Sequence, residues 1–331
     1  MKVLVTGGAG FIGGVTVREL LKAGYEVAIF DNLSCGHEQT VPKDVPLMIG
    51  DLRKKEDIMS ALKRGKFDAV LHFAAFTIVP ESIENPSKYF ENNILASFNL
   101  LDAMAATGVK KFVFSSSAAV YGEPKKIPVA ENAPLNPSNA YGETKLIVEQ
   151  YIKWYDLAYG IKYASLRYFN ASGADLENDL GEDREVETHL IPLVLLSASG
   201  KNKSVSIFGS DYPTRDGTCI RDYIHVKDLA SAHVLALGRL FKEGAKSSIY
   251  NLGSEKGFTV KEIVTAAEKV TGKKVNALIS PRRPGDPPAL IASSEKIRSE
   301  LGWRTKYSEI DKIISDTWNW MQKHPDGYAK K

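Results

Sequence analysis

An apolar run at residues 2–6 ends in Gly7-Gly8-Ala9-Gly10-Phe11-Ile12-Gly13, and residues 11–23 then place Ile12, Val15, Leu20 and Leu21 at helical spacing. A strand that breaks on glycines and restarts as a helix constrains the fold more than any other feature of this chain. The glycines allow a turn that side chains would block, and the helix must fold back to cover the strand it leaves. Gly24 stops that helix. The rhythm then repeats, with strands expected over 26–30, 45–49, 69–73, 111–116 and 163–168 and helices over 55–63, 86–107 and 140–159. Such alternation predicts an α/β fold, a doubly wound Rossmann-type parallel sheet covered on both faces.

With 331 residues, 44% of them hydrophobic, the chain can bury a large core as one large domain or two modest ones. The texture changes after Asn170, where acidic and glycine-rich linkers around 175–187 precede a helix over 190–199 and shorter, irregular elements. The expected division is therefore a dinucleotide-binding unit over 1–170 and a smaller α/β region over 171–331, with the chain recrossing between them. Pro281, Pro284, Pro287 and Pro288 hold 281–288 in a charged loop.

No apolar run approaches the roughly 18 residues of a membrane span, and no signal-peptide pattern opens the chain, so a cytoplasmic protein is expected. Cys35 and Cys219 read as structural or incidental thiols, with a redox role as the alternative. The net charge of +3 comes from 43 basic and 40 acidic residues spread along the chain. Without a basic tract, nucleic acid is not an expected partner.

Gly8-x-Gly10-x-x-Gly13 fits the dinucleotide fingerprint, and Asp31 closes the second strand, where a carboxylate can accept both hydroxyls of a ribose. Backbone amides at the helix start suit a pyrophosphate. The same residues also make sense as a tight glycine turn with a capping aspartate. No arginine follows in Asp31-Asn32-Leu33-Ser34, which favours NAD over NADP. Tyr141 and Lys145 are four apart on a helix and share a face, so the ammonium is expected to favour the phenolate. Bringing a phenol from about 10 to near neutrality requires roughly 4 kcal/mol, which one fixed lysine together with a positive nicotinamide is expected to supply. Taken alone, the pair also fits an ordinary amphipathic turn. Ser117 ends the fifth strand, placed either to meet a substrate hydroxyl or to cap the next turn. Together these groups point to redox chemistry at a carbinol carbon.

With these residues in place, the chain resembles the extended short-chain dehydrogenase/reductase superfamily and, within it, the UDP-glucose 4-epimerases, over nearly its whole length. The resemblance rests on 7–13, 31–33, 50–52, His72 to Ala75, Asn92-Asn93, 115–117 followed by Val120-Tyr121-Gly122, 141–145, 167–170 and 221–226. The stretches 208–218 and 281–286 are the more specific to the epimerases. The resemblance implies that Tyr141, Lys145 and Ser117 are catalytic and that no metal is needed. It implies NAD contacts from Gly7, Gly10, Phe11, Ile12 and Gly13, and from Asp31, Asn32, Leu33, Ser34 and Gly36. Asp51 and Leu52 would meet the adenine, with Phe73, Ala74, Ala75, Thr77 and Asn92 along the cofactor and Tyr141, Lys145, Tyr168 and Phe169 beside it.

For a UDP-hexose the resemblance implies Ser117, Tyr168, Asn170, His189, Leu190, Ser206 and Tyr223, with Phe208 at the uracil. Arg221 and Arg283 would hold the diphosphate, Asp286 the ribose, and Leu290 the wall beside the sugar. Some members carry lysine, threonine, asparagine and tyrosine where Thr77, Ala119, His189 and Leu290 stand here. The implied reaction is inversion at C4 through a transient 4-keto sugar. A 4,6-dehydratase or decarboxylase of the same superfamily is the rival, disfavoured because Ala118 and Ala119 stand where it needs an acid. A non-catalytic NAD-sensing module is the other. The segments 86–107 and 140–159 resemble those that form a homodimer in this family.

Overall fold

The computed structural model describes residues 1–283 and 286–328, so Pro284 and Gly285 of the expected loop lie outside the described residues. The first half alternates as its sequence pattern predicts. Strands β1 (Lys2–Thr6), β2 (Glu26–Asp31), β3 (Leu47–Ile49), β4 (Ala69–His72), β5 (Lys111–Ser117) and β6 (Lys162–Tyr168) supply most of a sheet. Between them run α1 (Phe11–Lys22), α2 (Lys55–Gly65), α3 (Val79–Glu84), α4 (Pro86–Tyr89), α5 (Ala96–Thr107) and α6 (Ala140–Tyr159). The second half begins with β7 (Asn170–Ser172), α7 (Leu190–Ser199), β8 (Val205–Phe208), β9 (Ile220–His225) and α8 (Val226–Leu240). It continues through β10 (Ser248–Leu252), β11 (Gly257–Thr259), α9 (Val260–Thr271), β12 (Ala277–Ser280), β13 (Ala289–Leu290), α10 (Glu295–Leu301) and α11 (Ile310–Lys323).

The large sheet has seven strands in the order β10-β6-β5-β4-β1-β2-β3, and every neighbouring pair is parallel. Strand order reverses between β1 and β4, and ligands of such sheets sit beyond the carboxyl ends of the strands at that point. Side chains of β1 alternate between two cores, as the two-residue repeat of a strand requires. Val3 and Val5 join Val17 and Leu20 of α1 and Leu229 and Leu237 of α8. Leu4 joins Leu62 of α2, Leu100 of α5 and Ile152 of α6 on the other face. Each such fully buried aliphatic side chain contributes about 1.5–3 kcal/mol.

The smaller region places β9 between antiparallel β11 and parallel β13, with β7 also paired to β9. Helices α7, α9 and α11 share one core there through Val194, Ile263 and Ile313. Two expectations need correction. The elements after residue 199 are not all short or irregular: α8 has 15 residues and α11 has 14. The segment 86–107 is not one regular helix, because Phe90–Leu95 widens into a π turn between α4 and α5. Among the described residues no helix is long and apolar enough to cross a membrane.

Candidate active site

The turn after β1 is built around missing side chains. Gly7 has φ +73°, and a Cβ there would lie 2.5 Å from the backbone nitrogen of Ala74. A Cβ on Gly13 would lie 2.2 Å from the Gly7 carbonyl, so the helix could not start so close to the strand. Gly10 is different, since its Cβ would meet only that carbonyl at 3.4 Å and otherwise point into open space. Helix α1 starts at Phe11 with no side-chain cap and no acidic residue in its first turn. Its unpaired amides and positive end are left to an anion.

This turn forms one wall of a cleft that Gly7 and Gly10 help to line. Asp31, Asn32, Ser34, Cys35 and Gly36 line one end, with Asp51 and Leu52 beside them. Phe73, Ala74, Ala75, Phe76 and Asn92 line the opposite wall. Asp31 also does the bland job the sequence allowed: its carboxylate accepts from the backbone N–H of Ala9 at 3.0 Å and of Leu33 at 2.9 Å. Burial pushes its carboxyl up, opposed by those amides. Leu33 is held at φ 58°, a left-handed backbone that costs a branched residue of order 1–3 kcal/mol. Asp51 is bound by Arg53 at 2.6 Å, and that partner holds its carboxyl below the usual range. An uncapped helix start, an empty Gly10 face and a carboxylate at the end of β2 together fit a bound dinucleotide.

Ser117, Tyr141 and Lys145 meet at the carboxyl end of β5. The Ser117 side chain hydrogen-bonds the Tyr141 phenol and also accepts from the backbone N–H of Ala119 at 3.1 Å, so it is both partner and cap. Lys145 Nζ lies 5.9 Å from the Tyr141 ring centre and donates to the Ser115 carbonyl at 2.8 Å. The expected depression of the phenol is absent from the chain by itself. Burial pushes Tyr141 up against the opposing effects of Ser117 and Arg184, and burial brings Lys145 down to about 7. A shared helix face sets proximity, but desolvation disfavours both charged forms. Asn93 braces the neighbouring wall, bonding the Phe76 amide at 2.9 Å and carbonyl at 3.0 Å, while Asn92 faces the cleft.

The remaining predicted residues fall into two groups. Tyr168 is buried, with its hydroxyl bonded to Ser115, Phe169 packs with Ala118 and Val120, and Asn170 donates to the Asp222 carbonyl at 2.7 Å. On β9, Arg221 and Tyr223 share a face, and Arg221 pairs with Asp286 while donating to the Pro287 carbonyl at 2.9 Å. Arg283 stacks over the Phe208 ring with its guanidinium carbon 3.8 Å from the centre. Ser206 is exposed on the same face of β8 as Phe208. Leu290 stands in register with Arg221 and packs against the cluster that contains Ala118 and Phe169, joining the two groups.

Thr77 accepts from Arg184 Nη1 at 3.2 Å, and Arg184 is held by Glu182 at 2.7 Å. His189 lies 3.1 Å from Glu182 and 3.2 Å from Glu187, and Leu190 packs beside it in the core. Neither Arg184 nor Glu182 was legible as a site residue, since both lie in an acidic stretch without periodicity.

A family model described as the NAD dependent epimerase/dehydratase family matches residues 3–253. A UDP-glucose 4-epimerase from Lacticaseibacillus casei is 49% identical over 331 residues, covering 100% of both chains. The crystal structure of a Brucella ovis UDP-glucose 4-epimerase in complex with NAD superposes with a TM-score of 0.93 at 45% identity, over 96% of this chain and 97% of that one. A Bifidobacterium longum UDP-glucose 4-epimerase in complex with NAD+ and UDP gives 0.93 at 40% identity, over 99% and 100%. Matched by that family model over residues 3–253 and by these relatives over nearly its whole length, the chain belongs to the NAD dependent epimerase/dehydratase family.

Proposed function

We propose that this chain interconverts UDP-glucose and UDP-galactose by inverting C4 of the sugar. The observation that carries the reading is the convergence of Ser117, Tyr141 and Lys145 beside a cleft that fits a dinucleotide. Held by the glycine turn, Asp31 and the Phe73–Phe76 wall, an oxidised nicotinamide cofactor would supply the hydride acceptor and a positive charge. Tyr141 takes the proton of the 4-hydroxyl and later returns it, and Ser117 holds that hydroxyl in line. Lys145, fixed by the Ser115 carbonyl, adds its charge near the ring. The 4-keto sugar turns over before C4 is reduced from its other face, so no net oxidation occurs. Phe208 receives the uracil, Arg221 and Arg283 the diphosphate, and Asp286 the ribose. Asn170, Tyr168, Tyr223, His189, Leu190, Ser206 and Leu290 complete the sugar-nucleotide side. Arginine forks are the fitting partners of a diphosphate. The cofactor unit comprises residues 1–170 with α8, which packs along α1, and β10, which joins the large sheet.

Elimination chemistry is not favoured, because Ala118 and Ala119 cannot move a proton. The direct test is to supply UDP-galactose without added NAD and follow both sugars by NMR. UDP-glucose should appear with no growth of NADH absorbance; NADH rising in step with sugar consumed would overturn the assignment.

The chain also pairs with a second copy through α5 and α6. Leu95, Trp154 and Leu157 are 45%, 68% and 78% exposed, beside the Phe98–Tyr151 stack, an apolar surface that monomers rarely present. Light scattering should give a dimer that Leu157→Glu converts to a monomer. A monomeric native protein at micromolar concentration refutes the pairing.

A further inference from the structure

The cleft that fits the dinucleotide has an unbalanced charge. Its lining carries the carboxylates of Asp31 and Asp51 and, among the described residues, no lysine or arginine. A dinucleotide adds two phosphate charges, against which the start of α1 offers roughly half a positive charge. Arg184 is a cation placed to narrow that gap. It comes from the loop after β7, and its Nη1 donates to Thr77 Oγ1 at 3.2 Å, one residue beyond the wall formed by Phe73 to Phe76. It is also within electrostatic reach of Cys35, which lines the other end of the cleft, and of Tyr141. Those three neighbours put the guanidinium beside the end of the Phe73–Phe76 wall, in reach of both Cys35 and Tyr141. Nη2 makes no hydrogen bond among the described residues, so a donor remains for a ligand.

The arginine is held in place before any ligand arrives. Glu182, whose side chain is 7% exposed, binds Nε at 2.7 Å. The preceding Asp183 accepts from the Tyr328 backbone N–H at 2.9 Å and lies 3.5 Å from His37 Nε2. Glu182 and Glu187 also flank His189, which Glu182 first of all, with burial opposing, raises to about 9. At neutral pH two carboxylates thus face two cations, so the cluster carries no net negative charge to repel a phosphate. The same balance argues against a metal ion among Glu182, Glu187 and His189.

We propose that Arg184 binds the pyrophosphate of the dinucleotide, closing over it from the second half of the chain. This rests on the epimerase reading above. It makes retention of the cofactor depend on the 181–189 loop as well as on the glycine turn, so the cofactor leaves only when that loop shifts.

The test uses the full chain stripped of cofactor, as native protein, Arg184→Gln and Arg184→Lys, titrated with NAD and with adenosine. Losing one charge-assisted contact should weaken NAD about 10- to 100-fold in Arg184→Gln. Lysine keeps the charge without the fork and should recover part of the loss. Adenosine, which has no phosphate, should bind all three alike, and UDP should bind the NAD-saturated variants alike. NAD affinity within twofold of native in Arg184→Gln overturns the proposal, as does an equal loss of adenosine, which marks a structural role. A loss confined to UDP overturns it too, since it moves the arginine to the substrate's diphosphate. If Arg184→Gln does not fold, Arg184→Lys decides: adenosine held with NAD weakened supports the proposal, and NAD unchanged with its salt dependence no steeper than adenosine's overturns it. Turnover of UDP-galactose by the native protein tests the epimerase reading separately.

Discussion

Replacing Asp31 by alanine separates two jobs that one carboxylate holds. It is 8% exposed, and it accepts from the Ala9 amide at 3.0 Å and the Leu33 amide at 2.9 Å. Removal leaves a buried amide unsatisfied and releases the left-handed Leu33, for a loss of about 2–4 kcal/mol. At an unfolding entropy of about 2.1 cal/mol/K per residue, that lowers the melting temperature of this 331-residue chain by about 3–6 °C. Two charge-assisted bonds to ribose hydroxyls are worth about 1.5–3 kcal/mol each, so NAD should also weaken by about two to four decades. Both effects are measured on cofactor-stripped protein, by calorimetric titration and by a melt without cofactor, so that ligand linkage does not enter the melt. Asp31→Asn keeps one acceptor and should melt closer to native while still binding NAD poorly. Native NAD affinity in Asp31→Ala, with a lowered melt, would reduce Asp31 to a turn brace; a native melt would refute the brace.

Tyr141→Phe keeps the buried ring and loses only the proton acceptor, so turnover of UDP-galactose followed by NMR should fall about 10²- to 10⁴-fold with NAD still bound; native turnover removes the phenol from the mechanism. Leu290→Tyr puts a ring beside Arg221 and the Ala118 cluster, and should change the ratio of kcat/KM for UDP-glucose over UDP-N-acetylglucosamine by about 10- to 200-fold. An unchanged ratio means that Leu290 only packs its strand. His189 is raised from 6.5 to about 9 chiefly by Glu182, so its contribution to stability is whole below pH 6.5 and is lost as pH rises through about 9. Melting temperatures across that span should fall less steeply in His189→Gln than in the native protein, and equal slopes refute the pairing.

Much of the fold is written in local pattern. The apolar run, the glycines and the helical spacing of 2–23 specify β1, the turn and α1 because each depends on neighbours within a few residues. The Thr259-x-x-Glu262 capping box and the 3.6-residue spacing of Ile310, Ile313, Ile314 and Trp320 carried equal information for α9 and α11, which the irregular reading of that half passed over. The π turn at Phe90–Leu95 has no comparable local mark. It sets Asn92 toward the cleft while Asn93 braces the wall, a division that the sequence pair Asn92-Asn93 does not disclose.

What the sequence by itself determined was the βα rhythm, the glycine turn, the acid at the end of β2, and the serine, tyrosine and lysine at positions able to converge. Each follows from steric allowance or helical and strand repeat, which are properties of short segments. Only the tertiary structure decided the charge states and the partners. Whether the Tyr141 phenol is lowered is a sum over everything that replaces water around it, and burial outweighs the Ser117 bond and the Arg184 charge that oppose it. Arg221 meets Asp286 across 65 positions because Ala289–Leu290 pairs with β9, and Arg184 meets Thr77 across 107 because the loop after β7 folds back to the segment that follows β4. Contacts of that separation are chosen by packing of whole elements, and no local pattern encodes which charged side chain the packing brings to the site.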